Sequence, residues 1–325
     1  MSANNHTNSI EAISHVTEHE AGQRIDNYLI NKLKPLPKSR IYKMVRKGEV
    51  RINSKRITIS YRLGSGDKLR LPPFIEKLVL EQRSHKASEP ELPLNVKNNI
   101  IGNILYEDDG MIILNKPSGL AVHGGSGISF GLIESCRKIW PDAPFLELVH
   151  RLDRDTSGCI MIAKSRKRLL QLHELLKTNQ ITKRYYALVS GKWQGGRQVC
   201  APLKKQTTKS GERMVKVHTE GNDSKTLFTI EQTFQNHTLL KVQPITGRTH
   251  QIRVHAAFMG HPIIGDSKYG HKGNNQEAKA LDFNRLFLHA CELYIPLENT
   301  IHIKCPLPKE CQTYLNQLEN LKESS

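Results

Sequence analysis

Four short stretches of this chain carry residue types that do chemistry. The densest is His150-Arg151-Leu152-Asp153-Arg154-Asp155-Thr156-Ser157-Gly158, followed at once by the apolar run Cys159–Ala163. Residues 151–155 alone hold two carboxylates and two guanidiniums, so a polar loop feeds straight into a core segment. An aspartate held between arginines is expected to have a lowered pKa and to stay an anion. An anion against an apolar wall is a competent nucleophile or base. Spacing alone leaves a second reading equally open, a turn in which Asp153 or Asp155 caps the next element. His150 reads as a hydrogen-bonded structural residue rather than a ligand.

The second stretch is Thr246-Gly247-Arg248-Thr249-His250-Gln251-Ile252-Arg253-Val254-His255. As a strand it puts Arg253 on one side with Gln251 and His255; as a helix it pairs Gln251 with His255 one turn apart. Zinc would need a third ligand and an acid, and no carboxylate lies between His250 and His255, so no metal is expected. Arg253 is better used to neutralise a carboxylate brought from elsewhere. The third stretch, residues 115–127 beginning Asn115-Lys116-Pro117-Ser118-Gly119, follows a strand and is glycine-rich. It lacks the phosphate-loop and dinucleotide patterns, which leaves a flexible connection or a substrate-lining loop. The fourth, Lys183-Arg184-Tyr185-Tyr186-Ala187-Leu188-Val189, alternates as a strand and sends its two tyrosines to opposite faces. One is expected in the core. The other is expected to reach a cleft and stack on a base.

The chain that must position these groups has 325 residues, 48 Lys and Arg against 31 Asp and Glu, and a formal charge of +17. That surplus points to a polyanionic partner. No apolar run approaches the roughly 18–20 residues of a membrane helix, so no membrane role is expected. Residues 1–15 show neither the basic nor the apolar region of a secretory signal. The six cysteines are scattered, without a CxxC pair, which fits free thiols in a reducing cytoplasm better than a disulfide framework or a zinc ribbon.

The charge is concentrated. Residues 20–75 hold 14 Lys and Arg against four Asp and Glu, a net of +10. Within them, Lys38 to Gly48 reads as a helix, capped by Ser39 and closed by Gly48. Ile41, Met44 and Val45 share one face; Arg40, Lys43 and Lys47 share another, with Arg46 nearby. Residues 49–57 alternate apolar and basic around a turn and read as a hairpin carrying Arg51, Lys55 and Arg56. One-signed charge on adjacent elements gains RNA affinity by counterion release. Residues 1–19 read as a loose tail, 20–82 as the basic domain, 83–98 as a proline-containing linker, and 99–325 as a second domain. There the runs 111–114, 159–162, 185–189 and 238–242 read as strands and 166–177 as a helix. The mixture predicts an α+β fold with a largely antiparallel sheet.

The basic block, through AGQRIDNYL, PKSRIYKMVRKGEVRIN and LGSGDKLRLP, resembles the S4 domain, a small module that binds structured RNA. The motifs NKPSGLAVH, HRLDRDTSG, KRYYALV and TGRTHQIRVH, in that order, resemble the pseudouridine synthase family that includes the large-subunit rRNA enzymes. The resemblance implies a mixed α/β catalytic domain around a central antiparallel sheet, with no metal and no organic cofactor. It implies that Asp153 is the catalytic aspartate and that Arg253 pairs with it. It further implies that Tyr185 packs against the target base and that Arg151 enters the space left by the flipped nucleotide. The substrate implied is 23S rRNA, free or in a large-subunit assembly intermediate, and the expected state is a monomer. Three further readings stay in view, one of them a related enzyme of the same family with different target uridines. A non-catalytic RNA-binding assembly factor would use only the basic block. A hydrolase would use Asp153 and Asp155 as paired carboxylates.

Overall fold

The computed structural model describes residues 12–18, 20–84, 91–124, 130–207 and 213–323. They fall in two compact units, Met1–Glu91 and Leu92–Ser325. In the first, β1 (Ile13–His15), α1 (Ile25–Lys32), α2 (Lys38–Lys47), β2 (Arg51–Ile52), β3 (Lys55–Arg56), β4 (Lys68–Arg70) and α3 (Ile75–Ser84) follow in chain order. The strands form one antiparallel sheet in the order β1-β4-β2-β3. Its core joins Leu29 of α1, Ile41, Met44 and Val45 of α2, Ile52, Leu69 and Val79.

The apolar face of α2 is buried as its spacing predicts, but Ser39 is not its cap. The helix starts at Lys38, behind Pro37, with no side-chain cap. Proline presets φ at −61°, and its carbonyl accepts from the Arg40 and Ile41 N–H groups, so Ser39 falls inside the first turn. Gly48 does close the helix, at a left-handed φ of 70°. A Cβ there would collide with the side chain of Arg56, which folds over the turn. Asn53 and Ser54 join β2 to β3 with positive φ values of 49° and 65°, as a two-residue hairpin turn requires.

Both expected boundaries shift. Residues 13–15, read as tail, pair with 68–70, and Val16 behind them is buried. A three-residue strand is too short to show a period in sequence. Residues 94–98, read as linker, belong to α4 (Leu94–Gly102), because Pro93 starts a helix and its carbonyl accepts from Val96 and Lys97. Residues 1–11 of the expected tail and 85–90 of the expected linker lie outside the described residues.

The second unit continues with β5 (Ile104–Glu107), β6 (Met111–Lys116), α5 (Leu132–Ile139), β7 (Glu147–Leu148), β8 (Ser157–Ala163) and α6 (Arg166–Lys177). Then come β9 (Thr182–Ser190), β10 (Gln198–Cys200), β11 (Leu203–Thr207), β12 (Arg213–Val217), β13 (Lys225–Thr233) and β14 (His237–Pro244). It closes with α7 (Gln251–Phe258), α8 (Lys272–Ala280), β15 (Leu288–Ile295), β16 (Ile301–Lys304) and α9 (Lys309–Glu323). The main sheet runs β10-β13-β14-β9-β15-β8-β6-β5, with β16 on β15 and β7 on β8. Only the β8–β15 pairing among its ladders is parallel. The hairpin β11–β12 stands apart as a two-stranded sheet. All four expected strand runs and the expected helix are present, and Ser165 caps α6 by accepting from the Arg168 N–H. Among the described residues, no helix is long and apolar enough to cross a membrane.

Every residue of β8 is buried, as suits a strand covered on both faces. Its second residue, Gly158, has φ 104°, and a Cβ there would run into the Ala290 backbone of β15. The glycine lets the loop holding Asp153 enter the sheet at its one parallel junction. Gly158→Ala is expected to lower stability by more than about 1 kcal/mol. Urea unfolding followed by circular dichroism checks this; an unchanged midpoint would contradict it.

Candidate active site

A cavity of about 140 Å³ opens in the second unit, lined by the 150–153 loop, Lys183 and Tyr185 of β9, and residues 246–253 at the start of α7. Asp153 is the single carboxylate among its lining residues. Its side chain is 17% exposed, with Oδ2 lying 3.3 Å from Nη1 of Arg253. Thus Asp153 faces an arginine across the cavity and does not cap β8. Asp155 turns away to pair with the exposed Arg154 at 3.0 Å, so the two carboxylates do not work as a pair.

Residues 251–258 are helical, which settles the choice between strand and helix. Gln251 to Ala256 are all buried, so α7 has no polar face to reveal its period. Its polar side chains are held by specific partners. Gln251 accepts from Thr246 Oγ1 and the Arg248 N–H, and donates to the Lys225 carbonyl and Thr226 Oγ1. His255 contacts Ser224, Thr226 and the Ala201 carbonyl, a structural role, and burial lowers its pKa. Arg253 points into the cavity, yet its fork belongs to another residue. Nε and Nη2 donate to the two oxygens of Asp266 at 2.7 and 2.8 Å, and only Nη1 is left for Asp153. Asp266 is fully buried and also accepts from the Lys268 and Tyr269 N–H groups. Burial alone would lower the pKa of Arg253 and raise that of Asp266, but their mutual hydrogen bonds reverse both shifts.

Tyr185 is buried and lines the cavity; burial first, and the Asp153 charge second, raise its hydroxyl pKa. Tyr186 lies on the other face of β9, its ring 6.0 Å from Lys241 Nζ. Arg151 is exposed at the rim. His150 is structural, as expected. Its Nε2 accepts from the Met161 N–H at 3.2 Å, and burial pushes its pKa down to about 3, so the ring is neutral. Burial also lowers the pKa of Lys183.

The glycine-rich stretch after β6 does not line the cavity in its described part; residues 125–129 lie outside the described residues. It braces the loop from behind. Lys116 is fully buried and donates to the carbonyls of Pro117, Leu120 and Arg154. Ser118 Oγ donates to the Asp155 carbonyl and the Gly119 N–H to that of Arg154. Three donors on one ammonium meet three carbonyls. Sequence reasoning missed Lys116 and Asp266. A lysine ending an apolar strand has no distinguishing pattern, and Asp266 lies 13 residues beyond Arg253. The one available signal was that a buried arginine must find its anion.

The seven basic candidates of the first unit sit on α2 and the β2–β3 hairpin. Lys43, Arg46, Lys47, Lys55 and Arg56 are exposed; Arg40 and Arg51 are half-buried. Arg40 lies 5.9 Å from the Phe74 ring. Arg51 bonds the Gly48 and Ser54 carbonyls, which gives it a role in holding the hairpin.

The family model for RNA pseudouridylate synthase matches residues 110–258, and the S4 domain model matches residues 23–69. Ribosomal large subunit pseudouridine synthase C of Pasteurella multocida is 48% identical, covering 95% of this chain and 94% of its own. The Haemophilus influenzae protein of that name is 53% identical over 85% and 84%, and the Escherichia coli one 46% over 97% and 99%. Human RNA Pseudouridylate Synthase Domain Containing 4 matches with a TM-score of 0.59 at 25% identity, over 69% of this chain and 96% of its own. Its counterpart Domain Containing 1 reaches 0.56 at 23%, over 73% and 98%. The chain belongs to the RNA pseudouridylate synthase family.

Removing Asp266 leaves the fork of Arg253 buried and unpaired. Asp266→Ala is expected to cost about 3–5 kcal/mol of stability, read by chemical denaturation. A loss below 1 kcal/mol would show that the pair is not a structural keystone.

Proposed function

We propose that the protein isomerises uridines of 23S rRNA to pseudouridine, with Asp153 acting at the ribose. One observation supports this most: the only carboxylate among the cavity's described lining residues is held by a buried arginine whose fork is already committed elsewhere. The large-subunit enzymes named above are similar over nearly the whole chain, which supports rRNA as the substrate.

The reaction breaks N1–C1′, turns the uracil, and joins C5 to C1′; the C5 proton leaves to solvent and N1 gains one. The target nucleotide must first leave the stack, at a cost of a few kcal/mol. Tyr185 stacking on the base and Arg151 filling the gap offset that cost. Asp153 then attacks C1′ or takes a proton from C2′, and both routes need the carboxylate ionised and aimed. Arg253 Nη1, 3.3 Å from Asp153 Oδ2, supplies the aim. The basic face of α2 and the hairpin supplies phosphate contacts, with Arg40, Lys43, Arg46, Lys47, Lys55 and Arg56 as the contributing side chains. All six cysteines are free, which fits a cytoplasmic enzyme.

The test is tritium release from 23S rRNA labelled at uridine C5. The native protein is expected to release tritium; Asp153→Ala is expected to release none while keeping its RNA affinity. If the native protein binds but releases nothing from naked or particle-bound RNA, the assembly-factor reading takes over. The basic face has its own check. Lys43→Ala with Lys47→Ala is expected to weaken RNA binding and to reduce the slope of log affinity against log salt by about 1–2. An unchanged slope would remove α2 from the RNA contact.

A further inference from the structure

His250, in the second stretch, has a geometry that the ion network does not explain. It takes a left-handed backbone, φ 54° and ψ 18°, immediately before α7. A non-glycine residue held there marks a position that the surroundings over-determine. The surroundings are visible. Gln251 is pinned by its four hydrogen bonds. On the other side of the ring, His250 Nδ1 lies 2.8 Å from the Tyr269 hydroxyl. The free edge of the imidazole faces the cavity, with Nε2 3.8 Å from Asp153 Oδ2.

The hydrogen-bond bookkeeping favours one tautomer. The Tyr269 hydroxyl accepts from the Val215 N–H of β12 at 3.0 Å. Its own proton then needs an acceptor, and among the described residues His250 Nδ1 is the acceptor within reach. With Nδ1 accepting, Nε2 carries the ring proton and points it at the carboxylate. The opposite tautomer would set a lone pair against an anion. Tyr269 is itself held in place. Its ring lies 5.2 Å from the guanidinium of Arg253, and edge-on to His250 at 72°. It also packs with Leu203, Val215 and Val254.

We infer that His250 and Tyr269 form a positioning pair for Asp153: Tyr269 sets the tautomer and orientation of His250, which presents Nε2–H to the reacting carboxylate. This rests on the uridine-isomerase reading above. Asp153 then has two directors from two directions, Arg253 Nη1 and His250 Nε2, both near the same oxygen, Oδ2. The other oxygen, Oδ1, is left for the ribose. At 3.8 Å the imidazole contact is longer than a hydrogen bond, the length at which catalytic contacts often stand before substrate closes them. The groups around the imidazole are Asp153, Arg253, Asp266, Lys268 and Tyr269. Through Val215, the pair also joins the separate β11–β12 sheet to the site.

Two measurements on the full chain test the pair. In single-turnover tritium release, Tyr269→Phe keeps the ring beside Arg253 and removes only the hydroxyl. It is expected to slow the chemical step about tenfold to a hundredfold with RNA affinity unchanged. His250→Ala is expected to do the same, and the double variant to be no slower than His250→Ala alone. Additive losses, or a loss in affinity with the rate unchanged, would overturn the inference. The second measurement needs no turnover. In protein with 15N-labelled histidine, the native His250 is expected to show a protonated Nε2 and a bare Nδ1, and Asp153→Asn is expected to shift the Nε2 signal. A ring protonated at Nδ1, or blind to Asp153→Asn, would overturn it. If native protein releases no tritium while the spectra behave as stated, the isomerase reading fails and the contact stands.

Discussion

Arg253 sits between two carboxylates, and much of the second unit is arranged around that fact. A buried guanidinium is tolerated only with its charge matched and its donors satisfied. Asp266 does most of that work, with two short, parallel bonds and no exposure of its own. The remaining Nη1 reaches Asp153 at a looser 3.3 Å. This asymmetry has a chemical consequence. A carboxylate gripped by the whole fork would be well ordered, but its lone pairs would be occupied. A carboxylate touched by one N–H is directed and retains lone pairs to react. A lysine at 253 could not divide its contacts in this way, because it lacks the planar fork.

The same logic explains the polar residues packed inside the fold. Lys116, Gln251 and His255 are buried, and each is fully engaged: three carbonyls for Lys116, four partners for Gln251, three for His255. None of them lies in the cavity as a reactive group. They fix the backbone on either side of Asp153 and Arg253, one through the loop entering β8 and two through α7. Unpaired polar groups at such depth would each cost about 1–3 kcal/mol, so the network is stable only when complete. Completeness is what holds reacting groups in place, where misplacement by 1 Å can cost about 10² in rate.

The readable and unreadable parts of the sequence follow from this. Short apolar runs gave away β6 and β8, strand-like patterning β9 and β14, and helical spacing α6 and the buried face of α2. Separation of Tyr185 from Tyr186 followed from strand geometry alone. Helix α7 was ambiguous because its first six residues, Gln251 to Ala256, are all buried, and periodicity needs a wet face to show. The short strand at residues 13–15 and helix α4 after Pro93 were invisible because their order comes from tertiary pairing and from a cap, not from composition. Within the site, motif density marked Asp153 and Arg253. Asp266 and Lys116 escaped because their importance lies in what they neutralise or brace, and nothing in one dimension records a partner in three.

The division of charge between the units separates two tasks that one surface would confuse. More than half of the +17 excess lies in residues 20–75, where exposed cations can meet phosphates without regard to sequence. Such contacts add affinity to every RNA equally, so they cannot choose a uridine. Of the four Lys and Arg side chains lining the cavity, Arg253 is committed to two carboxylates and Arg248 in part to the Asp223 carbonyl, while Arg151 is exposed at the rim. The space there is about 140 Å³, bounded by Tyr185, Leu152, Ile252 and Leu288 and holding one directed carboxylate. A base must be out of its stack to enter such a space. The energy of unstacking therefore becomes part of selection, favouring uridines whose surroundings already let them go.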